Sequence, residues 1–176
     1  MVDLETLGIK PGSAILSIGA VLFDPDKKLP KKVPEKKTFY QNIEIKTSLA
    51  MGLTVDQSTV DWWKKQDKKA QDILKVDKIT VQKAFLNFRL FFSQNKIVYI
   101  WSHGSGFDVV LLEEGYRKIE MMFPWKCWNI RDTRTIFDLA GIRCDHKEGI
   151  HHYALDDAIN QARSIQKAYK IIKGDK

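Results

Sequence analysis

Hydrophobic and polar positions alternate along the first forty-five residues and recur at helical spacing after that. "MVDLE" (1–5) begins as an apolar strand and runs into carboxylates. "AILSIGAVLFD" (14–24) alternates loosely after Pro11 and Gly12 and reads as a second strand. The segment 25–37 holds three prolines and six lysines, which predicts a connection, and "TFYQNIEI" (38–45) predicts a third strand. These three would form an antiparallel meander. Residues 58–75 place Val60, Trp63, Ala70 and Leu74 near one face, with Ser58 as N-cap and Asp61 completing a capping box, so a helix is expected there. Residues 80–94 predict a more apolar helix, and "KIVYIW" (96–101) a buried strand, which could run parallel to the first. Further helices are expected at 107–119 after the Gly104/Gly106 turn, at 131–141 ending on Gly141, and at 153–172. Early strands followed by alternating elements indicate an α/β fold with helices packed on a sheet. The length of 176 residues, without repeat or linker, fits one domain over 1–176.

Composition narrows the class. Hydrophobic residues make up 44% of the chain, enough for a real core. No run of eighteen apolar residues predicts a membrane span, and no basic-then-apolar leader opens the chain. Two cysteines, Cys127 and Cys144, without a CxxC, suit reduced thiols in a cytoplasmic protein. Lys and Arg exceed Asp and Glu by 29 to 22, which suits a polyanionic partner such as nucleic acid as well as it suits a merely basic protein.

Candidate chemistry lies at element ends. Asp3 and Glu5, spaced i and i+2 on a strand, point to one face. Their repulsion is relieved by a shared Mg²⁺ or Mn²⁺, since hard cations take oxygen ligands, or by a solvent-facing, frayed strand. Asp108 follows a strand and a Gly-rich turn and reads equally as a helix-start acid or as a third ligand. "HHYALDDA" (151–158) holds two frames, His151 with Asp156 and His152 with Asp157. With Leu155, Ala158, Ile159, Ala162 and Tyr169 as the core face, both aspartates lie roughly 130° from its centre, so periodicity does not choose between them. Four carboxylates and a histidine at element ends match what two metal ions and a general base require for phosphodiester hydrolysis.

Asp3-x-Glu5, Asp108, His152 and Asp157 resemble the DEDDh 3′→5′ exonucleases of the DnaQ-like, RNase H-like superfamily. The frame His152-Tyr153-Ala154-Leu155-Asp156-Asp157-Ala158 fits that family's H-x-A-x-x-D-A motif at every fixed letter, and the other frame does not. Tyr153, four residues before Asp157, leaves the tyrosine branch as an alternative. "DLETLG", "VDWWKKQ", "WNIRDTRTI" and "HYALDDAINQA" extend the likeness along nearly the whole chain, toward a subgroup with phage exonuclease A, exonuclease VIII-labelled phage proteins and a mycobacterial exoribonuclease.

The resemblance implies an RNase H-like fold with a central mixed β-sheet flanked by helices. It implies two Mg²⁺ or Mn²⁺ held by Asp3, Glu5, Asp108 and Asp157, with His152 as general base. The implied substrate is single-stranded nucleic acid, DNA favoured and RNA the alternative, cut to nucleoside 5′-monophosphates; a catalytically silent binding module is the rival. Leu7, Gly8, Trp62, His103 and Phe107 are the expected substrate contacts. His103 stands where relatives carry Asn. Packing is the first expectation for Trp62 and stacking the second, while Arg131 and Arg134 would steer phosphate or remain solvated. A cytoplasmic monomer or homodimer is expected, acting in a host cytoplasm if virus-encoded.

Overall fold

Strand alternation at the start of the chain produces the expected meander. In the computed structural model, which describes residues 1–145 and 149–174, β1 (Val2–Thr6), β2 (Ile15–Val21) and β3 (Thr38–Ile43) pair antiparallel in that order. A two-residue strand, β4 (Lys78–Ile79), joins β3 in parallel, so the sheet is mixed with order β1-β2-β3-β4. α1 (Ile45–Ala50), α2 (Gln57–Trp63), α3 (Lys68–Ile73) and α4 (Val81–Gln94) follow β3, with β4 between the last two. A parallel pair, β5 (Ile100–Ser102) and β6 (Ile130–Asp132), lies beside β1, with α5 (Asp108–Lys118) between its strands. α6 (Thr133–Ala140) and α7 (Ala154–Lys173) close the chain. This is the mixed sheet flanked by helices of an RNase H-like fold. No helix among the described residues is long and apolar enough to cross a membrane.

Several boundaries differ from expectation for local reasons. The helix expected over 58–75 is two, because Asp67 takes the Lys69 N–H and starts α3 afresh. α2 begins before Ser58, with Asp56 as N-cap, whose own N–H is bound to the Leu7 carbonyl. Asp61 accepts from Gln57 and Lys64 rather than closing a capping box. The strand expected at 96–101 starts only at Ile100, since Lys96 turns in the left-handed region after α4, and Val98 and Tyr99 are exposed. Its hydrogen-bonded partner is β6 rather than the first strand. α1, β4 and β6 were not expected; two- and three-residue strands and a six-residue helix are too short to show a period.

The alternation of β1 divides the interior. Val2 and Leu4 join Ile18, Phe85, Phe88, Leu112 and Tyr116 in one apolar layer. Val21, Trp101, Phe137, Ala158, Ala162 and Ile165 form the other, under α6 and α7. Asp3 pairs with Gly19 and Glu5 with Ser17, which sets both carboxylates on the second face. There α7 comes unusually close. A Cβ on Gly19 would lie 2.2 Å from the Ala154 carbonyl carbon and 2.3 Å from the Leu155 nitrogen. The glycine opposite Asp3 therefore admits the helix backbone itself.

Because backbone cannot swing aside, Gly19→Ala is expected to cost about 2–3 kcal/mol, the upper part of the overpacking range, or a fall of about 4–12 °C in Tm. Gly106→Ala, where nothing lies within 4 Å, should stay within about 0.5 kcal/mol of wild type. Thermal unfolding of the two variants followed by circular dichroism checks the contrast, and equal melting temperatures would contradict it.

Candidate active site

β1 delivers two carboxylates into a largely desolvated space. Asp3 is half-buried and Glu5 is buried. Asp108, the first residue of α5, is buried as well and accepts the backbone N–H of Leu4, which ties the start of α5 to β1. Burial is the main force raising the carboxyl of Asp3, followed by repulsion from Asp108, Glu5 and Asp157. Glu5 is raised by burial and then by Asp157 and Asp108. Asp108 is pushed up to about 7 by burial, against the pull of its N–H donors and of the Arg134 guanidinium. The four acids expected from sequence thus feel one another electrostatically.

The octet at 151–158 resolves into two separate jobs. α7 packs through Ala154, Ala158, Gln161, Ala162, Ile165 and Ala168, all buried, rather than centring on Leu155, Ile159 and Tyr169, which are half-buried. At about 100° per residue Asp157 lies about 70° from the centre of that face, and Asp156 about 170° from it. Asp157 is buried and its Oδ2 accepts the His152 N–H at 3.0 Å. Asp156 is directed at the preceding loop, where Oδ2 accepts the Ile150 N–H at 2.9 Å and sits where a Cβ on Gly149 would be.

His152 adopts a left-handed backbone, φ 63°, an uncommon conformation for a residue with a side chain. One ligand atom each from Glu5, His152 and Asp157 lie within 4.8 Å of one another. His151 is exposed, its ring centroid 3.9 Å from that of His152. Tyr153 stacks edge-on against Tyr40 at 4.5 Å. The structure thus places His152 beside Glu5 and Asp157, and Tyr153 against Tyr40.

Beside Glu5 lies a cleft of about 390 Å³ walled by Leu4, Ile9, Thr59, Trp62, Trp63 and Phe107. Trp63 is core, as expected, and donates Nε1–H to the Thr6 carbonyl at 2.8 Å. Trp62 is 41% exposed, its ring edge-on to Trp63 at 5.1 Å and to His152 at 4.9 Å. The packing expectation for Trp62 thus gives way to a surface position in the cleft.

Not every expected substrate contact reaches this cleft. Leu7 is buried in the apolar layer, and Gly8 is closed in by Ser13 and Asp56. Ile9 takes their place on the cleft wall, because the turn after β1 sends Leu7 inward. His103 is held toward α6, its Nδ1 2.7 Å from Thr133 Oγ1 and its ring 5.7 Å from Phe137. The two arginines part company. Arg134 is exposed, near Gly104, and acts on Asp108, whereas Arg131 is bound to carbonyls and to Tyr99 on another groove.

Two supporting residues were not foreseen. Gln161 donates Nε2–H to Asp3 Oδ1 at 2.7 Å; its spacing of four from Asp157 was the available sign. Asp132 caps α6 and accepts the N–H groups of Arg134 and Ser105, which holds the Gly-rich turn before Asp108. The carboxylates of Asp3, Glu5, Asp108 and Asp157 are the oxygen donors that a hard divalent cation takes, and a cation would relieve the mutual repulsion of the acids.

The raised acids make stability depend on pH. Asp3, Glu5 and Asp108 hold protons more tightly folded than unfolded, so their contribution is complete below about pH 4 and is lost as pH rises through the folded values, about 7 for Asp108. Metal-free protein should lose Tm between about pH 5 and about pH 8, less steeply in Asp108→Asn. Millimolar Mg²⁺ or Mn²⁺ should raise Tm more at the higher pH. Scanning fluorimetry across that range checks both, and a Tm insensitive to metal at either pH would contradict the site.

The site has relatives. An exodeoxyribonuclease of Enterobacteria phage T4 is 25% identical over 162 residues, covering 77% of this chain and 68% of that one. The family described as the 3′-5′ exoribonuclease Rv2179c-like domain matches residues 1–169, a span that includes every acid and histidine of the cluster. The chain belongs to that family, and with it to the DnaQ-like 3′-5′ exonucleases.

Proposed function

We propose that the chain is a single exonuclease domain that removes nucleotides from the 3′ end of single-stranded DNA by a two-metal reaction with a histidine general base. The observation that carries this reading is the cluster itself: ligand atoms of Glu5, His152 and Asp157 lie within 4.8 Å of one another, and Asp3 and Asp108 are close enough to repel the same acids. Asp3, Glu5, Asp108 and Asp157 would hold two Mg²⁺ or Mn²⁺. When bound, such cations neutralise the scissile phosphate and make water a stronger acid.

The protein's own groups supply the rest. His152 takes the proton from the attacking water, and the left-handed backbone and the N–H bond to Asp157 fix where its ring stands. Trp62 and Phe107 flank the cleft beside Glu5 and provide apolar faces for the terminal base without reading its identity. Gln161 holds Asp3 in one orientation. Arg134 brings positive charge to the Asp108 side, where the phosphate would lie. The phosphodiester P–O3′ bond breaks as the water oxygen bonds to phosphorus, which releases a nucleoside 5′-monophosphate.

DNA is favoured by the likeness to the phage exodeoxyribonuclease. The exoribonuclease in the family's description supports RNA as the second reading.

A 5′-labelled single strand, as DNA and as matched RNA, should shorten to a ladder only when Mg²⁺ or Mn²⁺ is present, and the faster substrate decides between the readings. His152→Ala should lower the rate by about 10²- to 10⁴-fold, and Asp157→Asn by at least as much. His151→Ala and Asp156→Asn should stay within about tenfold of wild type once corrected for folded fraction. Equal losses in both frames would refute the assignment. Intact strands that still shift in a binding gel would replace the enzyme with a binding module.

A further inference from the structure

A groove of about 730 Å³ lies apart from the cleft beside Glu5. It opens at the start of β1, beside Met1 and Val2, and is walled by Phe23 after β2, Phe91 of α4, Tyr99 before β5, Arg131 of β6 and Tyr169 of α7. Val2 and Glu5 are three strand residues apart, about 10 Å, so groove and catalytic cleft lie toward opposite ends of the same strand.

The charge of this groove is one-sided. Lys27, Lys28, Lys37, Lys96 and Arg131 line it, against Asp24 among the described residues, and Asp24 is matched to Lys27 at 3.0 Å. Lys28, Lys37 and Lys96 are exposed. Such a lining suits a polyanion and disfavours a protein partner, whose interface core is depleted in lysine.

Tyr99 adds an independent feature. Tyr99 is 48% exposed, although the strand that follows is buried. The Arg131 guanidinium lies over the ring at 4.3 Å and is itself anchored to the carbonyls of Trp128 and Ile130 at 2.8 Å each. An exposed aromatic ring backed by an anchored cation is a preorganised platform for stacking a base. The fold does not need it, since the core beneath is closed by Ile100 and Trp101.

We infer that this groove is a second nucleic-acid site, which grips the phosphates and a base of a single-stranded polynucleotide away from the catalytic cleft. The inference rests on the reading of the chain as a nucleic-acid enzyme. It makes the groove the region that distinguishes long strands from short ones, because a strand with its 3′ end in the cleft occupies both only when it spans the distance between them.

The test measures anisotropy of fluorescein-labelled oligothymidylates of about 2 and about 25 nucleotides, the shorter too short to span about 10 Å at about 3.4 Å per nucleotide, in EDTA so that nothing is cut. The proteins are wild type, the triple variant Lys28→Glu/Lys37→Glu/Lys96→Glu, and Tyr99→Ala, each checked for an unchanged melting temperature. Wild type should bind the long strand at least about tenfold tighter than the short one. The triple variant should lose that advantage, with a plot of log affinity against log salt flatter by about 2, for three phosphate contacts at about 0.7 each. Tyr99→Ala should weaken long-strand binding by about five- to a hundredfold. Metal-dependent hydrolysis of the short strand should match wild type in both variants. If that hydrolysis is absent in all three proteins, the exonuclease reading fails and the groove is judged on binding alone. Long-strand binding unchanged in both variants would overturn the second site. So would sedimentation showing that Tyr99→Ala merely dissociates a dimer, which would make the groove a contact between copies of the chain.

Discussion

The first turn of α7 lies on β2 at backbone contact distance, and that approach sets the position of everything around it. Gly19 has no side chain at the point where the Ala154 carbonyl and the Leu155 nitrogen come down on the sheet. Ala158 and Ala162 keep the helix close further along. A larger residue at any of these positions would hold the helix off by the width of a side chain. Asp157 would then withdraw from Glu5, and Gln161 from Asp3. Small residues here do not add stability through area, because an alanine buries little. They permit a geometry, and the larger side chains of the opposite layer, Phe85, Phe88 and Tyr116 among them, supply the apolar burial.

That geometry works against the fold electrostatically. Carboxylates buried together raise one another's pKa, and desolvation raises each again. The protein offsets this only partly. Leu4 gives Asp108 a backbone N–H, Gln161 gives Asp3 an amide, and Arg134 approaches from the solvent side. Repulsion of this kind is what a bound divalent cation would relieve. The same economy appears at His152, whose left-handed backbone is held by an N–H bond to the very acid it accompanies.

Much of the architecture was legible in the residue pattern. The meander, the lysine-rich connection after it, and the helices over 80–94, 107–119 and 153–172 follow from period and turn chemistry. Elements of two to six residues, β4, β6 and α1, carry no readable period and were missed. The helix expected at 58–75 failed because Asp67 can interrupt a helix as well as occupy one, and only the neighbouring contacts decide which. The candidate acids were visible as carboxylates at element ends, where ordinary packing gives them no purpose.

The frame in "HHYALDDA" marks the boundary between what sequence and tertiary structure determine. A helical wheel weighted by large apolar residues put Asp156 and Asp157 at equal angles from the core, and the H-x-A-x-x-D-A resemblance had to choose. In the folded chain the buried face is lined by alanines, since the partner surface at Gly19 is flat enough for backbone to touch, and Asp157 falls inside that face. Similarly, adjacent tryptophans were bound to point about 100° apart, but which one would face the cleft depended on the Thr6 carbonyl that captured Trp63. Covalent order and side-chain chemistry determined which acids and histidines were available to the site. Which of them meet was decided by how closely two elements distant in sequence approach, a distance set by the side chains missing between them.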